Sequence, residues 1–184
     1  MMNILEQFRS SESVEQDYDK LKNFHKRMKT MEYGFILNGK IVYGDYDKYS
    51  TIPIALIEKY NVGICWDFVN YQQNFFNKNN INSTAYFFIA IDNDDNSHIT
   101  THTFNIVSIG RDLYWFDAAF RKHSGIHKVN SYNDVVKILL EEYGDDFDKY
   151  IVSTYNTSGM DNNLTSEQFI NKACNRVIKS GKCS

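Results

Sequence analysis

Three residues near the middle of this 184-residue chain, Cys65, His102 and Asp117, have the types and the order of a thiol nucleophile with its supporting base. A thiol is a strong nucleophile only as the thiolate, so it needs a group that accepts its proton. An imidazole can accept that proton and return it to a leaving group, and a carboxylate on the second ring nitrogen stabilises the imidazolium. The three residues together predict a thiol activated as a nucleophile.

The segment that carries the cysteine predicts a helix beginning at Cys65. Apolar residues recur at helical spacing to about Lys78, with one polar exception at Gln72. The N-terminus of a helix stabilises a thiolate through its dipole and its free N–H groups. The Cys65 N–H could supply half of an oxyanion hole, and Gly63 would permit a close approach just before the helix.

The histidine and the aspartate lie on the two strands of a predicted hairpin. "SHITTHTFNIVSI" shows β-branched alternation, "GRD" marks a turn, and "LYWFDAAF" returns as the next strand. His102 and Asp117 are nearly equidistant from the turn at Gly110–Arg111, so antiparallel pairing predicts that they lie side by side. The helix that carries Cys65 is then expected to pack on this sheet.

Each residue of this set also has a competing interpretation. A single cysteine is most often a small buried hydrophobe. His98, four residues before His102 on the same face, is the rival general base, although it pairs less well with Asp117. Cys65 with both histidines could instead bind a metal, but histidines four apart on a strand, with no second cysteine nearby, make this the weaker hypothesis.

Other polar residues near the motif receive no catalytic role. Asp67 lies in the first turn of the predicted helix, where a carboxylate favours the dipole. "DNDDN" (residues 92–96) lacks the spacing of an EF-hand loop and predicts a solvated turn. His123 and His127 are expected on a surface loop beyond the last strand of the hairpin.

Three short motifs together resemble the transglutaminase-like superfamily. They are "YNVGICWDF" around the cysteine, "HTFNIV" on the histidine strand and "YWFDAAF" on the aspartate strand. The similarity covers residues 60–120. It implies a papain-like fold, no obligatory cofactor, and thiol acyl transfer on amides. On that similarity Cys65 is the nucleophile, His102 the general base and acid, and Asp117 the orienting residue.

The similarity leaves parts of the site open. Many members of the family have a Gly-Ile-Pro-Ala-Arg-like turn after the cysteine helix, whereas "NNINSTAYF" keeps Ile81 and lacks the Gly, Pro and Arg. No role of that arginine is carried over. We expect Trp66 and Tyr60 to contact the substrate. The second oxyanion donor usually comes from a side chain upstream of the cysteine, and its candidates are Tyr43, Tyr49, Tyr60 and Asn61.

The remaining segments complete an α+β pattern. Residues 11–32 predict an amphipathic surface helix, and Asn38-Gly39 between apolar runs predicts a type I′ hairpin. "YSTIPIALIEKY" predicts a short helix capped by Ser50 or Thr51, and "TAYFFIAI" predicts a central strand. Later segments predict a helix after Ser131, a strand at "KYIVSTYN", and a last helix from a Thr165–Gln168 capping box to Gly181.

We predict one domain over residues 1–184, with a papain-like or transglutaminase-like core in which a Cys-led helix packs on an antiparallel β-sheet. Its parts are an N-terminal helix and hairpin at 11–45, a catalytic core at 50–120, and C-terminal helices and a strand at 131–180.

Composition limits the partners and the compartment. The net charge is −3 without a basic block, which argues against nucleic acid. The three cysteines are odd in number and far apart, which is typical of a reducing compartment; Cys174 is assigned to an apolar helix face and Cys183 to an idle thiol. Neither a signal peptide nor a membrane span is visible, so we expect a cytoplasmic protein that acts away from membranes. Oligomeric state is not indicated.

The expected activity is cysteine-dependent acyl transfer or hydrolysis of a protein or peptide amide. Peptidase, glutamine deamidase and transglutaminase share the thioester step and differ in the acyl acceptor. The small size of the chain favours hydrolysis. The alternative is a non-catalytic transglutaminase-like module that binds other proteins.

Overall fold

A computed structural model describes residues 11–92, 99–143, 147–160 and 163–183. Over these residues the helices are α1 (Ser11–Met28), α2 (Ile54–Tyr60), α3 (Cys65–Lys78), α4 (Tyr132–Tyr143) and α5 (Ser166–Ala173). The strands are β1 (Glu32–Tyr33), β2 (Phe35–Leu37), β3 (Lys40–Val42), β4 (Val62–Gly63), β5 (Asn82–Ile91), β6 (Ile99–Ile109), β7 (Asp112–Asp117), β8 (Gly125–Val129), β9 (Lys149–Tyr155) and β10 (Val177–Lys182). The α+β class is confirmed.

Six strands form one antiparallel sheet in the order β10-β9-β5-β6-β7-β8. β5 is central and pairs with β6 on one side and β9 on the other. Its consecutive residues Phe87 and Phe88 face opposite sides of the sheet, and both are fully buried. The dense apolar run of this strand is therefore a consequence of cover on both faces.

Helices cover both faces of the sheet. On one face, α1, α2 and α3 pack against β6 and β7 through Leu21, Phe68 and Val107, while α5 packs beside the start of α3 through Phe169. On the other face, α4 covers β5, β6 and β7 through a cluster that includes Leu139. The helix that begins with the cysteine lies on the sheet, as expected.

Two short two-stranded ribbons lie outside the main sheet. β2 and β3 form the predicted hairpin, and Asn38 and Gly39 both have positive φ, at 52° and 77°, as a type I′ turn requires. β1 and β4 form a parallel ribbon in which Tyr33 pairs with Gly63. The sequence did not indicate this ribbon, since strands of two residues show no periodicity.

The predicted cap of α2 is wrong. Pro53 is the residue that precedes the helix, and no side chain caps it. Thr51 instead bonds with a distant segment: its N–H donates to the Leu164 carbonyl (2.9 Å), and its hydroxyl accepts from the Leu164 N–H (2.9 Å). The Thr51 side chain therefore makes a tertiary hydrogen bond instead of capping α2.

The last predicted helix is wrong in its second half. The Thr165–Gln168 capping box is present and opens α5, but the helix ends at Ala173. After a short 3₁₀ turn the chain becomes β10 and pairs with β9. The β-branched pair in "RVIKSG" suits a strand, and the backbone of β9 needs a partner on its outer side.

A further correction concerns β8, which was expected to be loop. This strand pairs with β7, so His127 is on a strand opposite Trp115 rather than on a loop. The "DNDDN" segment lies largely outside the described residues. No helix of the described chain is long and apolar enough to cross a membrane.

Candidate active site

Cys65 is the first residue of α3, and its side chain is buried, with 3% exposed. Two residues earlier, Gly63 lies so close to the helix that an added Cβ would come within 2.8 Å of the Phe68 ring and 3.0 Å of the Asp67 Cβ. The expected close approach is thus confirmed. It brings the chain tightly into the helix and places the thiol in the field of the helix N-terminus.

Asp67 anchors the start of α3 from inside the protein. It is fully buried, and its carboxylate accepts hydrogen bonds from Tyr49 Oη (2.8 Å), the Ile52 N–H (3.2 Å) and the Ile64 N–H (3.1 Å). Burial raises the pKa of this carboxyl to about 7, against the lowering effect of those three bonds. The sequence interpretation of a simple dipole-favouring carboxylate missed this structural role.

A pair of glutamines secures α3 to the histidine strand. Asn105 donates to Gln72 Oε1 (2.7 Å) and accepts from Gln73 Nε2 (2.6 Å), and all three side chains are buried. Gln72 was the polar exception in the apolar pattern of the helix. Its partner lies on β6, three residues after His102, so this network sets the helix against the strand that carries the base.

His102 lies on a part of β6 that β7 does not cover. β6 pairs with β7 from Asn105 to Ile109, and β7 ends at Asp117. Extending that register would place Asp117 opposite Phe104, so His102 and Asp117 are diagonal neighbours rather than a directly opposed pair. The end of β7 leaves the edge of β6 open at His102.

The two side chains meet across this diagonal. His102 Nε2 donates to Asp117 Oδ2 at 2.6 Å, and both residues are buried. Asp117 also accepts from Trp115 Nε1 (3.2 Å) through Oδ2 and from the N–H groups of Ala119 and Phe120 (2.8 Å each) through Oδ1. The carboxylate is thereby held in one orientation.

Electrostatics at His102 favour its charged form. Burial lowers the pKa of the imidazole, but the charge and hydrogen bond of Asp117, together with the interaction with Cys65, raise it to about 10. Since Nε2 is bound to Asp117, Nδ1 is the ring nitrogen left for the thiol. The structure therefore brings Cys65, His102 and Asp117 into one cluster.

Phe120 and His25 complete the surroundings of the pair. The ring of Phe120 lies 5.5 Å from that of His102 between centroids. His25, on α1, donates through Nε2 to the carbonyl oxygen of Asp117 (3.1 Å) and lies 3.3 Å from Ser124 Oγ. Burial lowers the pKa of His25. Its position beside Phe24 on the apolar face of α1 was the only sequence signal for this supporting contact.

The residues proposed to contact substrate lie in different settings. Trp66 is buried in the core, where it stacks on Phe169 with 4.1 Å between centroids. Tyr60 ends α2 and is half-buried, with the Lys59 ammonium 5.1 Å from its ring. Trp66 shares its core cluster with Cys65, and the substrate contacts of both side chains stay predictions.

Three of the four candidate oxyanion donors are committed elsewhere. The Tyr43 hydroxyl donates to Glu32 at the surface, Tyr49 donates to Asp67, and Asn61 Nδ2 donates to the Thr30 carbonyl (2.7 Å). The hydroxyl that does reach the cysteine belongs to Tyr33, which the sequence interpretation missed. Its signal was the parallel ribbon, which a sequence pattern does not reveal.

Two cavities differ in their relation to this cluster. The larger, about 1090 Å³, lies beside the start of β5 and the end of β9, and its described lining residues do not include Cys65, His102 or Asp117. The smaller, about 260 Å³, is lined in part by Tyr33, Phe68, Ala118 and Ala119. Phe68 is on the turn of α3 that begins with Cys65, and the two alanines directly follow Asp117. The smaller cavity is therefore the one next to the chemistry.

The remaining alternatives concern histidine and metal. His98, the rival base, lies outside the described residues. Within the described ranges, no group of three or more His, Cys, Asp or Glu side chains is arranged to hold a metal ion. His123 and His127 both lie near the ring of Trp115.

Two comparisons with known proteins find no match. A scan against protein-family models returns no match, and a search of curated proteins returns none with significant similarity. The likeness to the transglutaminase-like superfamily rests on the three motifs and stays a prediction.

Proposed function

We propose that this protein is a thiol-dependent hydrolase or acyltransferase that acts on protein or peptide amides through a thioester on Cys65, within a papain-like or transglutaminase-like core. The observation that carries the proposal is the contact chain from a helix-start thiol to His102 and from His102 to Asp117. Buried structural cysteines have no need of an imidazole whose second nitrogen is held by a carboxylate.

The first half of the reaction forms the acyl-enzyme. The Cys65 sulfur attacks the amide carbon, and the electron pair of the carbonyl moves to its oxygen. When the tetrahedral intermediate collapses, the C–N bond breaks and His102 gives its proton to the departing amine. Asp117 keeps the imidazole oriented and stabilises its cationic form.

The second half releases the acyl group. Water, or an amine, attacks the thioester while His102 accepts its proton, and the sulfur departs as the thiolate. Water as acceptor gives an acid, and an amine gives a cross-link. We favour water because the smaller cavity beside the triad, at about 260 Å³, has little room for a second macromolecular substrate.

Alkylation with iodoacetamide tests the proposal within a single chain. Cys65 is expected to react quickly near neutral pH, because the imidazolium of His102 stabilises its thiolate. Cys174 and Cys183 serve as internal controls, since burial raises the pKa of both thiols. His102→Ala should slow the reaction at Cys65 and leave the other two unchanged.

Mass spectrometry of the three cysteine peptides over time gives the rates. Equal, slow labelling of all three cysteines contradicts the proposal and favours the non-catalytic binding module. If Cys65 is reactive, incubation of a protein substrate with a fluorescent primary amine distinguishes the acceptors. Incorporated fluorescence indicates cross-linking, ammonia release without it indicates deamidation, and shortened fragments indicate peptidase activity.

A further inference from the structure

Tyr33 is held beside Cys65 by the parallel ribbon of β1 and β4. The ribbon pairs Tyr33 with Gly63, two residues before the cysteine. On either side of the tyrosine, the Glu32 N–H donates to the Asn61 carbonyl (2.8 Å) and the Gly34 N–H donates to the Gly63 carbonyl (3.2 Å). The backbone of Tyr33 is therefore fixed relative to the start of α3.

The hydroxyl of Tyr33 interacts with both the sulfur and the backbone N–H of Cys65. Burial raises the pKa of this phenol most strongly; the interaction with the sulfur raises it further, and a hydrogen bond with the backbone of Cys65 lowers it. A phenol hydroxyl can donate one hydrogen bond and accept another at the same time. The hydroxyl donates to the sulfur, which favours the neutral phenol, and its oxygen accepts from the Cys65 N–H, which favours the phenolate.

The ring is braced and faces the smaller cavity. Its centroid lies 6.3 Å from that of Phe68 and 6.3 Å from that of Tyr46, both edge-on. The side chain is half-buried and lines the same cavity as Ala118 and Ala119. The Tyr33 side chain thus borders both the nucleophile and the cavity that an acyl group can enter.

We propose that Tyr33 is the second oxyanion donor of this site, and that its O–H follows the negative charge from the Cys65 sulfur to the carbonyl oxygen of the acyl group. The inference rests on the proposed thioester chemistry. Before attack, the O–H donates to the thiolate. As the S–C bond forms, the carbonyl electron pair becomes the oxyanion and the sulfur loses its charge.

The oxyanion then receives both donors without any proton transfer. The Cys65 N–H exchanges the Tyr33 oxygen for the oxyanion, and the Tyr33 O–H exchanges the sulfur for the same atom. Donors placed before the reaction at the position where charge develops are what stabilises a tetrahedral intermediate. Because burial raises the pKa of Tyr33, the hydroxyl keeps its proton, and so stays a donor, at neutral and mildly alkaline pH.

Two reagents that differ only in the need for an oxyanion test the role. Acylation by p-nitrophenyl acetate passes through a tetrahedral oxyanion, whereas alkylation by iodoacetamide does not. Tyr33→Phe is expected to slow acylation of Cys65 about 100-fold. The same substitution should slow alkylation of Cys65 by about tenfold at most. The control is Tyr46→Phe, which removes an equivalent hydroxyl from the exposed neighbour of Tyr33 and should change neither rate.

The outcomes separate this inference from the proposed function. Equal slowing of both reactions means that Tyr33 acts only on the thiol, and faster acylation means that the hydroxyl blocks the site; either result overturns the inference while Cys65 remains a nucleophile. Slow alkylation of Cys65 in the unaltered protein overturns the proposed function itself. That measurement does not depend on any substitution at Tyr33. Circular dichroism and thermal unfolding verify that both variants fold.

Discussion

Asp117 makes four hydrogen bonds from a side chain that is 2% exposed, and this arrangement determines what His102 can do. A neutral buried imidazole would be the default, because burial disfavours charge. The carboxylate reverses that preference. The proposed base is therefore a cation at neutral pH.

Replacing the carboxylate with an amide tests this dependence. Asp117→Asn keeps the shape but removes the charge, so the pKa of His102 should fall and alkylation of Cys65 at neutral pH should slow about 100-fold. Labelling with iodoacetamide, quenched at a series of times, measures the rate of Cys65 alkylation. Asp112→Asn is the matched control on the same strand, because its carboxylate binds Lys128 (2.8 Å) at the surface. Equal rates in the two variants would contradict the assigned role.

The pH dependence of amide hydrolysis follows from the same pair. The pKa of His102 is raised to about 10, so the imidazolium should persist through neutral pH and be lost as the pH rises through about 10. The donation of a proton to a leaving amine should fail over that range. We expect hydrolysis of an amide substrate to decline with an alkaline midpoint near 10. In Asp117→Asn the midpoint should move to lower pH; an unmoved midpoint assigns the decline to another group.

At the scale of elements, the start of α3 depends on one glycine. Gly63 does not have a positive φ, so its role is the space it leaves for the Phe68 ring and the Asp67 Cβ. The same glycine pairs with Tyr33 in the parallel ribbon. One missing side chain therefore allows the ribbon, the helix start and the nucleophile to converge.

Gly63→Ala should destabilise the protein by about 1–3 kcal/mol, since the new Cβ would overlap the Phe68 ring. Alkylation of Cys65 should also slow, because the clash shifts the helix start. Urea unfolding and labelling kinetics give the two values. Gly39→Ala is the contrasting control: it is strained by its φ of 77° yet meets nothing within 4 Å, so it should lose stability and keep the labelling rate. Wild-type behaviour of Gly63→Ala would refute the steric argument.

The elements that periodicity could predict are those with enough residues to show it. α1, α3, α4, β5, β6 and β9 correspond to predicted segments, and so does the Asn38-Gly39 hairpin. The sequence predictions are wrong where a tertiary contact outweighs the local sequence pattern. The segment of β10 has a helical spacing of apolar residues, but pairing with β9 outweighs it. Gln72 interrupts the apolar pattern of α3, and only the structure shows that Asn105 donates a hydrogen bond to it.

At the scale of the whole molecule, Asp67 links three distant segments. Its carboxylate ties the start of α3 to Tyr49 and Ile52, and the adjacent Thr51 bonds with Leu164 just before α5. The N-terminal half, the cysteine helix and the C-terminal helix thus share one buried polar junction. A carboxyl in such a place affects folding rather than chemistry alone.

The stability of the protein should therefore depend on the protonation of Asp67. Its folded pKa is raised from 3.8 to about 7, so between these values the folded state keeps a proton that the unfolded chain has lost. The contribution of this group to the free energy of unfolding accordingly declines as the pH rises from about 4 to about 7. Asp67→Asn should remove that slope.

Urea unfolding at several pH values between 4 and 7 measures the slope. Asp45→Asn is the control, because this exposed carboxylate pairs with Lys48 at the surface (2.5 Å) and should leave the slope of the wild type in place. A variant at Asp67 that keeps the full slope would show that another group carries it.

The sequence alone determined the α+β class, the helix that begins at Cys65 and the hairpin strands of His102 and Asp117. Local periodicity, turn residues and the distance from a turn are properties of neighbours in the chain, so they can be read without a fold. The tertiary structure alone decided the diagonal meeting of His102 with Asp117 at the open edge of β6, the burial of Asp67 and the approach of Tyr33 to the sulfur. These contacts join segments far apart in sequence, and only packing of the helices on the sheet selects them.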